Sequence, residues 1–368
     1  MPLNTKTAVI GCAILAPITH ANRSLEEMIY DVAHQALRDA GLSMDDIDGI
    51  VVASNDQMDG RAISVMAASG SVGGVDRDIL STPSAGEHAF VMGALRVATG
   101  LYRTQLVVSW SPTEASSLSE VQRLGADPYF HRRLPLSDLS AFALQATALS
   151  HAVPDADAAA RLLAADGQST NTSRLGPTPW PLTPEMVSPP VTGAVALVLA
   201  SEAFITEHEI ANPAWVRGLG WATETGFLGD RDLSQAPALE AAARQAYAEA
   251  GFVSPNGMFD VIEISDPTPY QQLMALDALG LCSRESWSAQ ISAGVFGASG
   301  TLPMNPSGGA RTINPVYCTG LIRIAEAANQ VRGKAGTHQV PGAQTALAHA
   351  ASGFAMQYQT VVVLAHGQ

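Results

Sequence analysis

Hydrophobic positions along this chain fall into two recurring patterns. Short apolar and β-branched runs bounded by Gly, Pro, Asp or Asn predict strands buried on both faces. They are "AVIGCAILAP" (8–17), "GIVVAS" (49–54), "QLVVSW" (105–110), "GAVALVLAS" (193–201), "DVIEIS" (260–265) and "QTVVVLAH" (359–366). Between them lie Ala-rich segments whose apolar residues recur every three or four positions, the mark of a helix with one buried face. Several of these stop at a glycine, the residue that accepts the left-handed conformation ending a helix.

The pattern repeats. "VAHQALRDAGLSMDDIDGIVVASND" (32–56) returns as "AARQAYAEAGFVSPNGMFDVIEISD" (242–266): a helix ending at Gly41 or Gly251, an acidic loop, then a buried strand. A fainter echo joins "PSAGEHAFVMGALRVATG" (83–100) to "NPVYCTGLIRIAEAANQVRG" (314–333), each a turn followed by a long helix. Two halves that alternate helix and strand predict a duplicated α/β fold with mostly parallel sheets. The expected halves are 1–210 and 211–368. Residues 111–190, rich in Pro, Asp and Arg, interrupt the rhythm and read as an inserted loop domain over the catalytic face. "LSAFALQATALSHAV" (139–153) and "DAAARLLAADG" (157–167) predict packed helices there rather than a disordered linker.

Composition narrows the function classes. At 368 residues, 47% hydrophobic and only 15% charged, the chain can bury a large interior and hints at surface buried between subunits. A net charge of −14 argues against nucleic acid or an anionic membrane as partner. Cys12, Cys282 and Cys318 are far apart, odd in number and without metal-ligand spacing, so no disulfide framework or zinc site is expected and a reducing cytoplasm fits. The apolar opening reads as a first strand rather than a signal peptide, since only Lys6 is basic ahead of it. No apolar run approaches the roughly 18 residues of a membrane span.

Four separated motifs, in order, carry a family resemblance: "MVSPPVTGAVALVLAS" (186–201), "VIEISDPTPYQQLMALDALGLC" (261–282), "MNPSGGARTINPVYCTG" (304–320) and "HAASGFAMQYQTVVVL" (349–364). Together they resemble the thiolase superfamily, in the branch related to sterol-carrier-protein-type thiolases. The resemblance implies the duplicated five-layered αβαβα thiolase fold with its inserted loop domain, assembly into dimers or tetramers, and C–C bond chemistry on CoA thioesters.

It also implies where the chemistry should sit, and there the chain departs. The family's Cys-x-x-Gly elbow, whose thiolate carries the acyl group, aligns on Gly86 and puts Pro83 at the nucleophile position. A proline can neither be acylated nor donate a backbone N–H to an oxyanion. Where the branch has His-Asp-Cys, this chain has Ser265, Asp266 and Pro267. Asn314 replaces the histidine of Gly-His-Pro, and the late Cys-x-Gly loop keeps Gly353 without a cysteine. An acyl-cysteine mechanism is therefore not expected.

Two readings follow. The first is a lyase or aldolase without a covalent nucleophile, like superfamily relatives that cleave β-hydroxyacyl-CoA thioesters with a small zinc-ribbon/OB-fold partner. Such a retro-aldolase needs a base for the β-hydroxyl proton and donors for the enolate. The candidates are Tyr317, Tyr270, His88 and Asp266 as acids or bases and Asn314 as hydrogen-bond donor, with Ser84, Ser265, Gly353 and His349 lining the pocket. Each has a structural alternative: pocket filling for Tyr317, a helix-end contact for Tyr270, a hydrogen-bonded interior ring for His88 and His349, and a turn anchor for Asp266. Ser84 as replacement nucleophile lacks an obvious base, and Cys318 reads as packing. The second reading is a catalytically silent subunit that shapes a complex with an active thiolase-like subunit or a CoA-ester enzyme. An acyl-CoA binding module is a third, with Arg132, Arg133 and Arg174 as phosphate contacts. No bound cofactor is expected, a CoA thioester is the expected substrate, and the assembly is expected to be a homodimer or heteromer.

Overall fold

The computed structural model describes residues 5–18, 23–83, 85–113, 115–166 and 178–367. Among them, nine strands form a sheet: β1 (Thr7–Leu15), β2 (Gly49–Ser54), β3 (Asp78–Pro83), β4 (Thr104–Ser111), β5 (Gly193–Ser201), β6 (Ala214–Thr223), β7 (Val261–Ile264), β8 (Thr345–Ser352) and β9 (Tyr358–Ala365). Their spatial order is β3-β2-β4-β5-β1-β6-β9-β8-β7. The principal helices are α1 (Leu25–Ala40), α2 (Gly86–Ala98), α3 (Leu118–Gly125), α4 (Asp138–Ala152), α5 (Ala156–Asp166), α6 (Pro237–Ala250), α7 (Pro269–Ala278) and α8 (Thr319–Arg332).

The duplication is visible in this order. The first five strands run β3-β2-β4-β5-β1, and the later ones mirror them outward from β6 as β9, β8 and β7. Beyond β7, an isolated parallel bridge from Ile262 to Met304 stands where β3 stands in the first half. The strands of the two halves pair directly at Ala8 with Trp215 and Val9 with Ala214, while the wider contact between the halves runs through α2 and α8.

The sheet is not mostly parallel, as the alternation of helices and strands had suggested. β2 runs parallel to β3 and β4, and β7 to β8. The pairings β1–β5, β4–β5, β1–β6, β6–β9 and β8–β9 are antiparallel. The reason is that β5 returns only after the long segment 112–192 and β9 turns straight back from β8 through residues 353–357, and nothing in a local apolar run records the direction of return.

Strand alternation builds the layers. In β5, Val195, Leu197 and Leu199 face the two central helices α2 and α8, while Ala194, Ala196, Val198 and Ala200 face the outer helix α1. Both faces are buried, which is why these strands read as continuous apolar runs. The second half packs its outer face on α6 and α7, with α4 and α5 of the inserted segment joining the same core. The succession is α1, first sheet half, α2 with α8, second sheet half, then α6 and α7: five layers. Gly41 and Gly251 end the two echoed helices with φ of 71° and 79°, as the repeat predicts.

Candidate active site

A cleft of about 1050 Å³ opens where several parallel strands end. Asn55 follows β2, Ser265 follows β7, and Ala351 and Ser352 finish β8; all four line it. The carboxyl ends of parallel strands are where open α/β sheets generally place ligands, because crossover connections diverge there. α3 and the first turn of α4 form one wall, and the segment from Asn314 to Thr319, which leads into α8, forms another.

The second wall carries two of the expected site residues, Asn314 and Tyr317. Asn314 accepts a hydrogen bond at Oδ1 from the Thr319 hydroxyl at 2.7 Å. Its backbone carbonyl accepts from the Val191 N–H at 3.0 Å. With the carbonyl end of the amide engaged, its NH2 group is the end left for a ligand oxygen. Between Asn314 and Tyr317, Val316 adopts φ of 31°, a conformation that β-branched residues rarely tolerate. Backbone strain of this kind concentrates at functional sites, where surrounding packing enforces it. Burial, and then the charge of Asp138, raise the Tyr317 phenol above its ordinary value, so it holds its proton near neutrality.

Asp138 faces the same cleft from the first turn of α4. Burial pushes its carboxyl up to about 7, against the opposing pull of a hydrogen bond from Gln122. A carboxyl that titrates near neutrality inside a cleft is suited to taking and returning a proton. Sequence reasoning passed over Asp138 because nothing local distinguishes it from an ordinary helix-starting acid after the N-cap Ser137. The closing loop supplies the mouth. Gly353, Ala355 and Met356 all have positive φ, and Arg231 holds the Phe354 and Ala355 carbonyls at 3.3 and 2.9 Å. His131 stacks on Phe227 with ring centres 5.3 Å apart, tying the inserted segment to the loop after β6.

The structure separates the remaining candidates. Ser265 and Gly353 line the cleft. The Ser265 hydroxyl accepts the Ala351 N–H at 3.2 Å, so it also holds the end of β8. His88, Asp266, Tyr270 and His349 do not line it. Asp266 is buried, accepts the Ala310 N–H at 2.7 Å and lies 3.6 Å from the Arg311 guanidinium, so it anchors a turn. Tyr270 donates to Asp157 at 2.9 Å, fastening α7 to α5. His349 is fully buried against Gln359 at 2.8 Å, and burial pushes its imidazole down to about 4. His88 receives the Ala85 N–H at Nδ1 and meets the Tyr358 ring edge-on at 5.2 Å, one side chain removed from the cleft.

Pro83 ends the edge strand β3, exposed and outside the cleft lining. Among the described residues β3 is the outermost strand of the sheet, with Pro83 opposite Ser54 of β2. Cys318 is fully buried with its thiol toward the Gly193 carbonyl, and burial raises it far above its ordinary value, so it is packing. The Arg132 guanidinium donates to the Leu124 and Ala126 carbonyls at the end of α3, which removes it as a free phosphate contact. Arg133 is exposed. Ser84 and Arg174 lie outside the described residues.

Comparison with known proteins agrees with this architecture. Residues 222–366 match the family described as "Thiolase C-terminal domain-like". Human sterol carrier protein 2 is 34% identical over 168 residues, which are 44% of this chain and 30% of that protein, so the match spans under a third of the relative's length. Among solved structures, one described as "Ltp2-ChsH2(DUF35) aldolase" superposes with a TM-score of 0.79 at 19% identity, covering 99% of each chain. A monomeric SCP2-thiolase-like protein type 1 from Mycobacterium smegmatis superposes at 0.73 with 18% identity, covering all of this chain and 78% of that one. Among the described residues, no helix is long and apolar enough to cross a membrane. Residues 222–366 therefore carry a thiolase C-terminal-like domain, and the chain as a whole has the fold of the thiolase-like structures on which it superposes.

Proposed function

We propose that this chain makes or breaks a C–C bond on an acyl-CoA-type thioester without an acyl-cysteine, in the manner of an aldolase or retro-aldolase, and works with a partner subunit. The observation that carries this reading is the meeting of Asp138, Tyr317 and Asn314 on one cleft whose described lining holds no cysteine. In the cleavage direction, the Asp138 carboxylate takes the β-hydroxyl proton. The Cα–Cβ bond breaks, the β-carbon becomes a carbonyl, and the electron pair passes to the thioester as an enolate. The Asn314 amide donates to the enolate oxygen, the Tyr317 phenol, held protonated by its surroundings, gives a proton to the α-carbon, and the proton taken up by Asp138 then passes through water in the open cleft to the Tyr317 phenolate, restoring both groups. This assigns Tyr317 as acid rather than base.

Pro83, where the family resemblance places the acyl-carrying cysteine, has no part in these steps. The structural neighbour described as "Ltp2-ChsH2(DUF35) aldolase" supports both the reaction type and a partner. The three cysteines are buried and unbridged, which supports a reducing compartment such as the cytoplasm. We also take the two halves to meet near residue 210, with 111–190 as a loop domain.

Turnover of β-hydroxyacyl-CoA thioesters, by the chain alone and with its partner, tests the reading through release of the carbonyl fragment. Asn314→Ala is expected to lower kcat by about 10²-fold, the usual cost of one oxyanion donor. Tyr317→Phe is expected to lower it comparably. If both variants leave the activity of the assembly intact while omission of the chain abolishes it, the chain is a silent structural subunit instead.

A further inference from the structure

Asp138 does not stand in the cleft unsupported. Gln122, on α3, reaches it twice. Its side-chain Nε2 donates to Asp138 Oδ2, and its Oε1 accepts the Asp138 backbone N–H at 3.3 Å. One side-chain amide thus grips both the carboxylate and the main chain of the residue that opens α4. Gln122 lines the cleft itself, so this clamp belongs to the wall and not to a distant core.

We infer that Gln122 is a positioning residue for Asp138: by occupying Oδ2 and fixing the backbone, it turns Oδ1 toward the cleft as the one oxygen open to a substrate proton. This rests on the proposed reaction and adds to it the residue that orients the base. A bare carboxylate on the first turn of a helix has free rotation about χ2, and a base that can point two ways spends part of its time misaligned. The amide removes that freedom at both ends. It also joins α3 to the start of α4, so the aim of the base depends on these two helices of the inserted segment being docked together. Tyr317 is the titratable group whose value Asp138 perturbs, across the cleft from the Asn314–Thr319 wall. Asp127 and His131 line the same cleft on the inserted segment. None of these three forms a hydrogen bond with the Asp138 carboxylate; the amide is its partner.

The donor stabilises the ionised carboxylate, so its removal moves the titration in a defined direction. Gln122→Met keeps the length of the side chain and removes both hydrogen bonds. The Asp138 carboxyl is followed by carbon-13 resonance in aspartate-labelled full-length chain, its signal assigned by disappearance in Asp138→Asn. Its midpoint is expected to rise by about 0.5 to 1 pH unit in Gln122→Met. The acid limb of the kcat/KM profile should rise with it, and kcat should fall about tenfold while KM changes little. Melting curves check that Gln122→Met is folded, and Gln122→Glu provides a second variant. Placing a second carboxyl beside the first should raise the Asp138 midpoint further. An unmoved midpoint in both variants overturns the inference, whatever the turnover. A moved midpoint with no turnover in the unmodified assembly overturns the proposed reaction, and with it the place of Gln122 in catalysis.

Discussion

Replacing Asp138 by Asn should make the protein more stable, and more so at alkaline pH. The carboxyl lies at about 7 in the fold against an ordinary 3.8, with burial as the first cause. A folded value above the unfolded one means that ionisation favours the unfolded chain. The cost is absent below pH 3.8 and grows until the pH passes 7. A rise of this size corresponds to about 4 kcal/mol at pH 8 and about 1.5 kcal/mol at pH 5. The cleft is open to water, which screens the charge, so about half of each figure is the better expectation. Asn keeps the shape and still accepts from Gln122, so the variant should gain about 1 to 2.5 kcal/mol more at pH 8 than at pH 5. For a chain of this length that is about 1 to 3 °C in Tm. Paired melting curves of both proteins at the two pH values measure it, with turnover expected to fall in the same variant. If the difference in Tm between the two proteins is the same at pH 5 and pH 8, Asp138 does not titrate near neutrality and cannot serve as the base.

Two further expectations separate structural groups from chemical ones. Tyr270→Phe should cost about 1 kcal/mol in urea unfolding through loss of the bond to Asp157, and leave kcat unchanged. A tenfold fall in kcat would return Tyr270 to the reaction. His349 is held neutral at about 4, below its ordinary 6.5, so its contribution to stability is intact above pH 6.5 and lost as pH falls through 4. His349→Gln, which can still bond Gln359, should therefore flatten acid unfolding over that window by up to about 3 kcal/mol. Acid-unfolding curves that superimpose would refute this.

Much of the fold was legible because it rests on local pattern. "GIVVAS" and "GAVALVLAS" are β2 and β5 residue for residue. The two predicted helices of the inserted segment are α4 and α5, each within a residue or two. β6 escaped notice because Arg217, Gly218 and Gly220 interrupt its apolar run. Those glycines are required by packing that sequence does not display. A Cβ on Gly218 or Gly220 would come within 2.0 or 1.9 Å of an α6 backbone carbonyl.

The site was half legible. Asn314 and Tyr317 could be named because a motif placed them at the start of α8. His88, Asp266, Tyr270 and His349 were equally good by residue type, and only their neighbours decided against a place on the cleft wall. Asp138 and Gln122 carried no motif. They matter because α3 and α4, far from Asn314 in sequence, come to rest opposite it.

By itself, the sequence determined the duplicated scaffold and the helix ends at Gly41 and Gly251, since these depend on residue identity and short-range periodicity. Strand direction, the edge position of β3, and the protonation of Asp138 were decided by the tertiary structure. Each depends on what segments bring to one point: the return path of β5, the pairing of β3 with β2 alone among the described strands, and the burial of a carboxyl by helices that approach it only in the folded chain.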